Sequence, residues 1–180
     1  GLPDVGLPDQ LATWRSRNLA DDKNAAILYR IAADALPPRR ISLTDLTDWT
    51  RVSSEDRMWL MAGLRPLMVW REGTKRPDCE SFRDRQETTR LTEPECSLFS
   101  RLVILEGLRL ENQGRYEDAL DWYVALLRFS RHQGRHTLFH ERFRSLGLHQ
   151  VAANRIRPWS DQPNMTVQVL QRALRDVLAS

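Results

Sequence analysis

The chain has 180 residues, with 41% hydrophobic and 28% charged. That composition is that of a globular protein rather than a disordered or membrane protein, and the length suffices for one well-buried core. The formal net charge is +3, and of 27 basic residues only Lys23 and Lys75 are lysines, an arginine bias that codon usage in a GC-rich genome explains better than selection for phosphate binding does. No run approaches the roughly 20 apolar residues that cross a bilayer, because the longest, Met58 to Trp70, is interrupted by Gly63, Arg65 and Pro66.

Residues 1–10 carry Leu-Pro-Asp twice, each copy preceded by a glycine, and read as a linker-like tail. Residues 11–180 read as a single all-helical domain. Leu11 to Leu19 forms a short helical turn carrying Trp14. The first full helix spans about Asp22 to Leu36, capped by Asp21 or Asp22 and ended by Pro37-Pro38. Ile41 to Trp49 alternates like a strand, but Asp45 and Asp48 disfavour one, which leaves a loop with a short helix. Ser53 or Ser54 caps the next helix, in which Pro66 forces a kink or a break. Its apolar residues Met58, Trp59, Met61, Leu64, Leu67, Met68 and Trp70 lie on nearly all sides and predict a buried element. Arg71 to Arg90 is charged and reads as a long surface loop.

The centre of the chain, about 93–132, reads as an antiparallel helical hairpin. Thr92, Pro94 and Glu95 make a capping box with proline in the first turn. Leu98, Leu102, Leu105 and Leu108 follow at helical spacing, and Gly114 ends the helix because glycine takes the left-handed conformation without a Cβ penalty. Tyr116, Ala119, Leu120, Tyr123, Leu126 and Leu127 mark one face of the second helix. Beyond it, Thr137 to Leu146 predicts a helix stopped by Gly147, and Leu148 to Ile156 another stopped near Pro158. A last helix, capped by Asp161 or Asn164, carries Val167, Leu170, Ala173, Leu174, Val177 and Leu178 along one stripe.

Gly107, Gly114, Tyr116, Ala119 and Tyr123 resemble the small and aromatic positions of a tetratricopeptide repeat, a helix–turn–helix unit of about 34 residues. Ala25, Tyr29, Ala32 and Pro37 resemble the second helix of the same unit. The 94 residues between Ala25 and Ala119 are no multiple of that period, so the resemblance implies an irregular helical array or bundle rather than a regular solenoid. The segment Asn24 to Tyr29, the run Arg76-Pro77-Asp78-Cys79 and the pair Arg131-His132 are also similar to uncharacterised all-helical proteins of planctomycete bacteria. That likeness implies a bacterial source and no activity.

Four constellations bear on function. His132, His136 and His140 recur at intervals of four beside Glu141 and would line one side of a continuous helix, but Gly134 breaks it. The string from His132 to His136 also lacks the glutamate of a zinc-protease motif, so no metal is expected. Arg128, Arg131, Arg135, Arg142, Arg144, Arg155 and Arg157, interleaved with Phe139, Phe143 and Trp159, form a basic segment of the kind that binds nucleic acid. Asp45, Asp48, Glu55 and Asp56 cluster, as caps or as paired acids. Among six tryptophans, Trp122 falls near the margin of the hairpin's buried face and, if exposed, anchors a partner.

Cys79 and Cys96 are either a disulfide or a reduced pair, and their spacing is not that of a zinc ribbon. Nucleophile, phosphate-loop and dinucleotide motifs are absent, so neither an enzyme nor a cofactor is expected. The leading expectation is a protein-interaction or scaffold domain binding a protein or peptide, with Trp122, Arg128, Arg131, Arg135 and Arg142 as partner-binding residues. The alternatives are a nucleic-acid binder using 128–157 and a structural domain of a longer polypeptide.

Overall fold

A computed structural model describes residues 23–38, 46–79, 90–135, 139–162 and 165–179 of the chain, with the side chains of 139–141 left aside. The described residues form an all-α array: α1 (Ala25–Asp34), a 3-10 helix (Trp49–Arg51), α2 (Ser54–Thr74), α3 (Glu93–Asn112), α4 (Tyr116–Gly134), α5 (Phe139–Ser160) and α6 (Val167–Ala179). Among them there is no strand, only an isolated parallel bridge between Asn24 and Asp78 that ties the start of α1 to the chain after α2.

Short-range signals set the helix starts. Asn24 accepts the Ala26 amide at 3.0 Å, so α1 is capped two residues later than Asp22, by the side chain adjacent to its first turn. Ser53 caps α2 by accepting the Asp56 amide, and its hydroxyl donates to the Asp56 carboxylate at 2.8 Å. At α3 the Thr92–Glu95 capping box is formed reciprocally. Glu95 also accepts from Arg30 of α1, so one carboxylate both caps α3 and holds α1 against it. Gly114, at φ +73, releases α3 into the turn before α4.

Three expectations are corrected. Pro66 does not split α2, which runs on to Thr74, so the following loop begins later than Arg71. Nor is α2 buried all round: Trp59, Leu60, Gly63, Leu67 and Trp70 face the core, while Met58, Met61 and Met68 face solvent. Finally, α5 is one helix through Gly147 and Pro158. A helical glycine costs only about 1 kcal/mol relative to alanine, and Leu148, Ala152 and Trp159, buried among the core residues, make interruption the poorer choice.

The core is centred on α3 and α4, and α4 packs against α2, α3, α5 and α6. Tyr29, Trp70, Phe99 and Phe129, one from each of the first four helices, meet with ring centroids 5.0 to 6.5 Å apart. At the opposite end, the buried Trp159 indole donates to the Tyr116 carbonyl at 2.8 Å and pins the end of α5 to the start of α4. The stripe expected on α6 is divided: Ala173 is buried and Val169 and Val177 pack inward, whereas Val167, Leu174 and Leu178 are exposed. Ion pairs of Arg172 with Glu117 and Asp121 join α6 to α4.

Candidate functional site

The hairpin packs as tightly as its small residues allow. A Cβ at Gly107 would lie 2.3 Å from the Tyr123 ring, so the tyrosine fills the space that glycine vacates. The Tyr123 hydroxyl donates to Glu111 of α3 at 2.5 Å. Arg155 of α5 closes the set, donating to Glu111, to the Tyr123 oxygen at 3.2 Å and to the Thr47 carbonyl at 3.1 Å. Burial and the Glu111 carboxylate raise the tyrosine pKa, so the phenol stays neutral.

Above this triad lies an open cleft of about 290 Å³. Thr47, Asp48 and Trp49 form one wall, Leu108, Glu111 and Asn112 the floor, and Arg155, Pro158 and Gln162 the far side. Asp48 caps the 3-10 helix by accepting the Thr50 amide at 2.8 Å. That backbone hydrogen bond, with Arg51 and Arg155 nearby, lowers its pKa and keeps it ionised. Arg57 lies over the Trp49 ring at 5.0 Å and donates to the Trp49 carbonyl, which fixes the indole wall.

A second surface lies on α2. Met58, Met61 and Met68 are 66%, 62% and 63% exposed, and they are three of the four methionines in the chain. At spacings of three and seven they share one face with Arg65 between them. Their helix is held rigidly from behind by its buried face, including Asp56, whose carboxylate takes two hydrogen bonds from Arg101 at 3.0 and 3.3 Å.

The residues singled out in the sequence fall elsewhere. Trp122 is 5% exposed, and the Arg71 guanidinium covers its ring at 4.6 Å, so it offers no free face as an anchor. All of Trp122 to Leu127 is buried, because α2, α5 and α6 cover sides of α4 that an isolated hairpin would leave open.

The arginines do not act as one group. Arg155 is consumed by the triad, Arg135 donates to the Pro77 carbonyl, and Arg144 reaches the Leu91 carbonyl at 3.5 Å. Arg131, Arg142 and Arg157 are exposed and Arg128 is half-buried.

His132 points into the core, where Nδ1 lies 2.7 Å from the Tyr29 hydroxyl. Burial, reinforced by Arg135, lowers its pKa to about 4 and keeps it neutral. His136 and the side chain of His140 lie outside the described residues, and among those described no group of three or more His, Cys, Asp and Glu is placed to hold a metal. Asp45 is likewise outside them; Asp56 is bound to Arg101, and Asp48 is a cap. Cys79 and Cys96 are both free thiols, pushed up by burial to about 12 and about 11.

Sequence reading misses both the methionine row and the triad. The row is legible, since residues 58, 61, 65 and 68 share a face, but it merges with the core face when α2 is taken as apolar all round. The triad joins residues up to 44 positions apart from three helices, and no local pattern signals it. No protein-family model, curated protein or solved structure matches the chain.

Proposed function

We propose that this is a non-enzymatic protein-interaction domain, and that the methionine row of α2 docks an apolar helix of a different polypeptide. The observation that carries this reading is the alignment of Met58, Met61 and Met68, each more than three-fifths exposed, on a helix whose other face is locked in the core. Methionine is unbranched and polarizable and moulds itself to varied apolar surfaces, which suits a docking face better than a free surface. The row extends about 15 Å along the helix, the length of roughly three turns of a partner helix. A second copy of the chain is the competing occupant, and photo-crosslinking separates the two. The exposed leucines of α6 are the weaker surface, since that helix buries only Ala173 and is held largely by exposed ion pairs.

Photo-methionine incorporated into the chain tests this reading. Adducts are expected to map to Met58, Met61 or Met68 and to an apolar helical segment of another protein. The Met61→Glu/Met68→Glu variant, with an unchanged circular dichroism spectrum, is expected to lose that partner. Adducts only to other copies of this chain, or a partner retained by the double variant, would overturn it.

The nucleic-acid reading has less support, because three of the seven arginines that suggested it are turned to the protein's own carbonyls and carboxylates.

A further inference from the structure

The cleft above the Tyr123–Glu111–Arg155 triad has a chemical bias. Among the described residues its lining contains two carboxylates, Asp48 and Glu111, and one cation, Arg155. Arg155 and Glu111 neutralise each other through their ion pair, whereas Asp48 is ionised and exposed and takes its hydrogen bonds from Thr50. Among the described lining residues carboxylates therefore exceed cations by one, the excess sitting on the wall at Asp48, with Arg51 next to it outside the lining. Beside it stand the Trp49 indole and the side-chain amides of Asn112 and Gln162, which make no hydrogen bond to another described side chain or backbone group. Leu108 and Pro158 supply an apolar stretch between these polar groups. Each nitrogen of Arg155 already has an acceptor within the protein.

An aromatic wall, an ionised carboxylate, amide oxygens and an apolar stretch together match an alkyl chain ending in a cation. The stem lies along Leu108 and Pro158, and the cationic head meets Asp48 and the edge or face of Trp49. We propose that the cleft binds an alkylammonium or alkylguanidinium group, either a lysine or arginine side chain of a polypeptide or a free polyamine. Arg51 on the 3-10 helix is the competing cation, because its charge already acts on Asp48. The site is independent of the methionine row.

The test is a titration of the intact chain followed by the ¹H–¹⁵N shifts of the Trp49 indole and of the Asn112 and Gln162 amides. Butylguanidinium and butylammonium are expected to shift all three saturably, while butyrate and butanol are expected not to. Asp48→Asn keeps an oxygen to cap Thr50 but removes the charge, and is expected to weaken binding by about fivefold, the scale of one partly exposed charge pair. Arg51→Ala is expected to tighten it. Either an arginine-containing tripeptide amide or spermidine is expected to bind more tightly than butylguanidinium, and whichever does so identifies the source of the cation. Absence of shifts at millimolar cation, equal shifts with butyrate, or an Asp48→Asn chain that binds undiminished would overturn the proposal.

Discussion

Tyr123 stands where a side chain on residue 107 would be: a Cβ added to Gly107 would fall 2.3 Å from its ring. The tyrosine cannot swing away, because Glu111 and Arg155 hold its hydroxyl from two helices. Gly107→Ala is therefore expected to cost about 1–3 kcal/mol or more, read as a lower urea midpoint. In a Tyr123→Leu background the same substitution is expected to cost markedly less, which a double-mutant cycle measures.

The Asp56–Arg101 pair is buried, with side chains 0% and 9% exposed. Removing one partner strands the other charge in the core. Asp56→Ala is expected to destabilise by roughly 3–5 kcal/mol, and the double change Asp56→Leu/Arg101→Met by much less. Chemical denaturation of the three variants checks the ordering.

His132 links stability to pH. Its pKa is about 4 in the fold against 6.5 for a free imidazole, so the unfolded chain binds a proton before the native chain does. Stability from this group is fully present above pH 6.5 and is lost as pH falls towards 4, by roughly 3 kcal/mol in all. A His132→Gln chain is expected to show a flatter decline over that window. Glu95 acts lower. Burial raises its pKa, but hydrogen bonds from Arg30 and Thr92 more than offset this and hold it below the usual carboxylate range. Its contribution is present above the ordinary glutamate pKa and is lost only below it.

Cys79 and Cys96 are thiols of high pKa, with Cys96 1% exposed. The thiolate is the reactive form, so Cys96 alkylation at pH 8 is expected to be slow in the native chain and to accelerate with denaturant. Timed mass spectrometry after iodoacetamide reports it.

Gly147 lies inside α5, and a methyl group placed on its Cα would have nothing within 4 Å. Gly147→Ala is expected to stabilise the chain by about 0.5–1 kcal/mol, measured as a higher melting temperature.

The same residue shows what sequence reading can and cannot see. Ser53, the Thr92–Glu95 box and Gly114 act within four residues of themselves, and each sets its helix boundary where local chemistry places it. Gly147 resembles a stop locally, but the burial of Leu148, Ala152 and Trp159 beyond it overrides the weak preference. Trp122 misleads for a similar reason: periodicity puts it on the margin of a two-helix unit, and only the neighbouring helices decide that this margin is interior. The cleft is hidden because Asp48, Glu111 and Arg155 come from three distant segments, and only Asp48 stands out in the sequence, as part of an acidic cluster.

The donor that binds the Thr47 carbonyl lies 108 residues later in the chain. At roughly 5–20 residues per second, a ribosome needs about five to twenty seconds to supply it. During that interval the nascent polypeptide carries the wall of a receptor without its keystone, and any capture of a cation there must await the emergence of α5.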